Sequence, residues 1–232
     1  MRKTLVLLLS CAAGAVDAAS YIGLGHVFAA NMTGNTVHLG MAVGFASLID
    51  IGHSAAALLG FLLGVAAGAG IVERDDSPAP WPRAVSVALV CEMILLAVTA
   101  AVWAAAGAKR PPITDALLLG LGVAMGVQSV TVRRLRIPGV ASTYLTGTLT
   151  ALMAGLVRVA MGRRTPAPEA PTHGSLLMAS VWAIYGGGAV ITALASPGGG
   201  PRTLVLPLVL IAIVLIAADR DSTWLLAPMT GA

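Results

Sequence analysis

Charge is scarce in this chain. Aspartate, glutamate, lysine and arginine make up 10% of its 232 residues, whereas about a quarter is usual in soluble proteins. With 57% apolar residues and a mean hydropathy of +0.90, most segments are apolar all round rather than on one face, and the surplus calls for lipid as solvent. Cysteine is nearly absent as well. Only Cys11 and Cys91 occur, both inside apolar runs, which leaves no disulfide framework and no metal-type spacing. Also missing are a Gly-x-Ser-x-Gly element, a helical His-Glu pair and a phosphate-binding loop. The glycine runs at Gly186 to Gly188 and Gly198 to Gly200 read as packing and turn. These absences exclude a soluble domain large enough for chemistry, so neither an enzyme nor a cofactor is expected.

The formal charge of +4 and pI near 9.6 do not point to nucleic acid. The basic residues form short clusters between apolar stretches, and their expected partner is the anionic surface of a lipid bilayer. Near the start, Arg2 and Lys3 before Leu5 to Leu9 imitate a signal peptide, and Leu8-Leu9-Ser10-Cys11 imitates a lipoprotein cleavage box. Cleavage there would still leave many apolar segments, so a first membrane helix is the better reading.

A span needs about 20 mostly apolar residues. Eight segments qualify: Leu5 to Leu24, Val27 to Ile49, Ser54 to Val72, Ala84 to Ala106, Ile113 to Val132, Val140 to Met161, Ser175 to Ala195 and Thr203 to Ala218. Together they predict one integral membrane domain over 1–232, an all-α polytopic helix bundle. The block Val27-Phe28-Ala29-Ala30-Asn31-Met32-Thr33-Gly34-Asn35-Thr36 has a partner at Val140-Ala141-Ser142-Thr143-Tyr144-Leu145-Thr146-Gly147-Thr148-Leu149. The chain therefore reads as two repeats, about 1–108 and 109–232.

Flanking charge tests the topology. If all eight segments cross, Lys and Arg divide poorly between the two sides. If the two motif segments are re-entrant or broken within the bilayer, eleven of the fourteen basic residues collect on one side. Each half then keeps three spans, which inverts the second half relative to the first, as in many secondary transporters. The same rule puts the N-terminus on the cytoplasmic side, and the membrane is expected to be a bacterial inner membrane.

The expected substrate- or ion-binding residues are Asp17, Asn31, Thr33, Gly34, Asn35, Thr143, Thr146 and Gly147. Polar groups within hydrocarbon must find partners. The two glycines could break a helix and expose backbone to a small polar solute or ion. The competing reading is Ser/Thr/Gly packing between helices. Asp17, deep in the first apolar segment, is the sharpest single residue, because a carboxylate at a helix centre costs about 3 kcal/mol even on the lenient scale. Glu92 ranks below it, being nearer its helix start. His26 and His38 could relay protons with Asp17, although a histidine in a membrane is more often a helix-to-helix hydrogen bonder, and no metal site is expected. Asp115 suits a helix start.

These residues carry a resemblance. Gly14-Ala15-Val16-Asp17-Ala18, Tyr21 and the Val27 to Thr36 block, followed by Gly126-Val127-Gln128, Arg133-Arg134 and Thr143-Tyr144-Leu145-Thr146-Gly147, resemble the YoaK-type family of bacterial inner-membrane proteins, known as a domain of unknown function. The match covers nearly the whole chain. One departure is Thr148, where the family pattern implies Asn, so symmetry with Asn35 is incomplete. The resemblance supports a membrane protein and leaves activity open: a small permease, with a structural or regulatory membrane subunit as the alternative and pairing into a homo-oligomer as a further expectation.

Overall fold

The computed structural model describes residues 2–137, 150, 153–154, 157, 161 and 171–224, except for the side chains of 171–176 and 220–224. Its helices are α1 (Arg2–Gly23), α2 (Met32–Gly44), α3 (Leu48–Val72), α4 (Arg83–Ala106), α5 (Pro111–Arg134), α6 (Pro171–Ala195) and α7 (Val205–Trp224), with a single 3₁₀ turn at Pro201–Leu204. Six of these are long and apolar enough to cross a membrane. At 1.5 Å per residue, the 13 residues of α2 reach only about 20 Å, short of the roughly 30 Å hydrocarbon core.

Local sequence sets the helix ends. Ser47 caps α3 by accepting the Asp50 N–H and donating its hydroxyl to the Asp50 carboxylate at 2.6 Å, a reciprocal arrangement that satisfies an otherwise orphan donor. Pro111 and Pro112 open α5, where a missing N–H costs nothing. Gly107 ends α4 with φ +70°, a conformation that suits glycine.

Contacts between helix ends fix the directions. The Trp103 side chain and the Gly199 turn both lie against Gly23, and His53 pairs with Asp115 at 2.5 Å, so these residues share one end of the bundle. At the opposite end, the Arg134 guanidinium donates to the carbonyls of Val72, Asp75 and Ser77. Hence α1, α4 and α6 run one way and α3, α5 and α7 the other. Among the described residues, Arg2, Lys3, Arg74, Arg83, Arg133, Arg134, Arg136 and Arg220 sit at the Arg134 end, and Lys109, Arg110 and Arg202 at the other. The described basic residues are thus unevenly split, while Arg158, Arg163 and Arg164 of the expected distribution lie outside the described residues.

Helices α1 and α5 are the most enclosed spans, and their neighbours are held by glycine. On α3 and α5, a methyl group added to Gly64 would overlap the Val123 carbonyl oxygen, and one on Gly126 would overlap the Phe61 carbonyl oxygen. On α1 and α6, a methyl group on Gly14 would overlap the Tyr185 carbonyl oxygen, and one on Gly188 that of Cys11. Small residues at such points let backbones touch, the main source of cohesion where lipid cancels the hydrophobic drive. The outer surface carries large apolar side chains, including Leu62, Ile94, Leu194 and Ile213, which suit contact with acyl chains.

Candidate functional site

The segment Val27 to Ile49 does not form a continuous span. After Gly23 the chain turns through Gly25 and His26, both with positive φ, and doubles back along α1. The Asp17 carboxylate catches it. One oxygen accepts the N–H groups of Ala29 at 2.8 Å and Ala30 at 2.6 Å, and the other accepts the Tyr185 hydroxyl from α6. Asp17 is nearly inaccessible and lies six residues, or about 9 Å, inside the helix end. From that depth α2 rises and the chain enters α3 at the end it left.

Each residue of the first motif has a place in this break. Asn31 caps α2 by accepting the Gly34 N–H at 3.3 Å. Asn35 is fully buried and pairs with the Phe28 backbone in both directions, accepting its N–H at 2.9 Å and donating to its carbonyl at 2.6 Å. This is the pairing a strand neighbour would supply, and it satisfies a stretch with no helix of its own. Gly34 makes room for the Phe28 ring, which a methyl group would meet at 3.1 Å, and that ring stacks on Tyr21 with centroids 4.9 Å apart. Thr36 returns its hydroxyl to the Met32 carbonyl. Asn31, Thr33 and Thr36 are exposed.

The structure therefore brings together Asp17, Asn31, Thr33, Gly34 and Asn35, and adds Tyr185, which sequence reasoning did not single out. Its signal was available in a tyrosine within an apolar span, beside the Gly186 to Gly188 run. Thr143, Thr146 and Gly147 lie outside the described residues. Among the described residues no hydrogen bond joins the histidines to Asp17: His26 lies tilted against Tyr21 and His38 meets the Phe28 ring edge. Asp115 does more than open a helix, since it pairs with His53 and ties α5 to α3. Glu92 departs most from its lower rank. It is completely buried, and neither carboxyl oxygen has a hydrogen-bond partner among the described residues.

A family model described as a protein of unknown function, DUF1275, matches residues 5–217. The UPF0700 transmembrane protein YoaK of Bacillus subtilis (strain 168) is 36% identical over 219 residues, covering 94% of each chain. The chain belongs to the DUF1275 family. No solved structure matches it. The relative is a transmembrane protein by name, and the six long apolar helices here make this DUF1275 chain a multi-pass membrane protein.

At the basic end, this family member carries a second polar assembly outside the spans. Asp75 accepts the N–H of Ser77 at 3.0 Å and of Ala84 at 3.1 Å, the latter at the start of α4. Those two hydrogen bonds, with smaller help from Arg134 and Arg83, hold its carboxyl below the usual aspartate range. A lowered folded value means that stability gained from the ionised form is present above the unfolded value and is lost as pH falls through the folded one. Trp81, whose indole donates to the Ser86 hydroxyl, reports on this loop. Its fluorescence should stay constant from neutral pH down to about pH 4 and change below that, and Asp75→Asn should remove the acid transition.

Proposed function

We propose that the protein is a small permease made of two inverted halves, about residues 1–108 and 109–232, which handles a small polar solute or ion between them. The observation that carries this reading is the correspondence of the two glycine crossings. An offset of 112 positions takes Gly14 to Gly126 and Cys11 to Val123, and an offset of 124 takes Phe61 to Tyr185 and Gly64 to Gly188. These four overlaps thus pair off between the two crossings. The packing of α7 on α1 corresponds likewise to that of α4 on α5. Because α1 and α5 run in opposite directions, the operation relating the halves is a two-fold axis lying in the membrane plane, the symmetry of inverted-repeat transporters.

The break at Asp17 fits this reading. It sets the N-terminus of a half-length helix inside the bilayer, where free N–H groups and the helix dipole favour a polar or anionic ligand. Asn31, Thr33 and the start of α2 are the parts still open to a solute. The uneven distribution of basic residues supports a cytoplasmic Arg134 end, and with it a cytoplasmic N-terminus, in a bacterial inner membrane.

One observation favours the alternative of a structural or regulatory subunit. Both Asp17 oxygens and both polar atoms of Asn35 are already engaged within the chain, as in a fastener. A single cysteine separates the readings. In a background lacking Cys11 and Cys91, Thr33→Cys should react with a membrane-impermeant thiol reagent added to one side, because Thr33 is exposed and would line a water-filled approach. Protection from both sides would remove the permease reading and leave the structural one.

A further inference from the structure

We propose that Glu92 is a proton-binding site at the core of the bundle, loaded and emptied through its carboxyl oxygens as the protein works, with Gln128 as the group it faces across α5. The inference rests on the permease reading and names its coupling ion.

Glu92 is the tenth residue of α4, about 13 Å from the helix start and near mid-span. It belongs to the stripe Val85, Ala88, Leu89, Glu92, Leu96, Thr99 and Trp103, which α4 turns inward. The register against α5 comes from two contacts. Thr99 lies against Gly120, and Ala88 shares an apolar cluster with Val127. An antiparallel pair in that register places Glu92 between the levels of Ala124 and Val127, within about a turn of Gln128.

The polar accounting at this level is incomplete. The Gln128 amide nitrogen donates to the Leu9 carbonyl of α1 at 2.7 Å, but among the described residues its oxygen has no donor, and neither has either Glu92 oxygen. All three are acceptors when the carboxyl is ionised, and an ionised carboxylate can only accept. A proton on Glu92 removes the charge and creates the one donor this cluster lacks. Farther along α5, the buried Thr131 hydroxyl already donates to the Val127 carbonyl, so it can only receive.

Among the described residues, the basic residues of the helices packed on α4, which are α3, α5, α7 and the 3₁₀ turn, stand at the two ends of the bundle rather than at the level of Glu92, Arg220 of α7 at the basic end included. On α5, Arg133 and Arg134 stand at the basic end and Asp115 at the opposite end, paired to His53 of α3. On α3, Asp50 lies at that same far end. Asp219 of α7 lies toward the basic end, Arg202 belongs to the 3₁₀ turn at the far end, and Arg83 is nine residues away on α4 itself. The enclosed face of α7 is apolar, with Ile211, Val214 and Ala218. A charge in such a place costs several kcal/mol when unpaired, which makes an exchangeable proton the ligand this chemistry selects.

The test is infrared spectroscopy of the full chain in lipid vesicles, reading the carbonyl stretch of a protonated carboxyl. Isotope-labelled glutamate should shift this band in the unaltered protein, so that no variant need fold, and Glu92→Gln should abolish it while Asp17→Asn leaves it. The band should shift in deuterated water and fade as bulk pH is raised. Absence of the band, or a band that neither exchanges nor titrates, would overturn the inference. The permease reading is scored separately by charge displacement after a pH jump. Titration of the band without any displacement leaves the proton site standing and ends the transport reading. Displacement equal in wild type and Glu92→Gln does the reverse.

Discussion

Alanine at Gly188 should destabilise the protein by about 3 kcal/mol, whereas alanine at its neighbour Gly187 should be neutral or stabilise it by up to about 1 kcal/mol. The two glycines share a helix and a sequence context and differ only in what they face. A methyl group on Gly188 would overlap the Cys11 backbone, while one on Gly187 meets nothing within 4 Å. Backbone cannot swing aside as a side chain can, so α1 and α6 would have to separate, with loss of the contacts around the crossing. Gly14→Ala, Gly64→Ala and Gly126→Ala should fall with Gly188→Ala. Equilibrium unfolding in mixed micelles checks the series. Equal losses at Gly187 and Gly188 would mean that helix propensity, not backbone contact, governs these positions.

Replacing Asp17 with alanine should cost on the order of 4 kcal/mol. Three donors lose their acceptor at once: the N–H groups of Ala29 and Ala30 and the hydroxyl of Tyr185. Each buried orphan costs about 1–3 kcal/mol, and the total is tempered by side-chain oxygens or water reaching the gap. Asp17→Asn keeps an acceptor for the backbone and should cost less. Tyr185→Phe should cost about 1 kcal/mol in the wild type and less in the Asp17→Ala background, because the hydroxyl it removes is already orphaned there. That difference, read from a double-mutant cycle of unfolding free energies, measures the latch directly. Additive single and double variants would show that Asp17 and Tyr185 act independently.

These two results concern features that differ in how far the sequence displayed them. The membrane spans were legible because hydropathy is a local property, and the window from Arg83 to Ala106 needs no knowledge of its neighbours. The break was partly legible too. Asn31, Thr33, Gly34 and Asn35 concentrate polar groups where lipid tolerates none unpaired, and the charge distribution already disfavoured eight crossings. What those polar groups bind was not legible. Asp17 reads either as a site for a foreign ligand or as an internally paired carboxyl fastening helices, and only the fold shows it holding the backbone 12 and 13 residues onward and a hydroxyl 168 residues away. The pairing of His53 with Asp115 spans 62 residues and leaves no periodic trace. Counting from the helix start ranks Glu92 low, yet enclosure depends on which neighbours cover a face, and hydropathy does not say that the next helix, α5, and the distant α7 both pack on α4.

The crossing of α1 with α6 also determines the order in which the chain can be assembled. While the protein is being made, α1 enters the bilayer well before the helix it must clasp exists, because Tyr185 is translated 168 residues after Asp17. At 5–20 residues per second that interval is roughly ten to thirty seconds. The first helix spends it beside lipid or an insertion factor, its carboxylate held only by the returning loop. The nascent first half has no completed home for α1, and the finished architecture arrives late, when the sixth helix closes on the first and the seventh follows onto it.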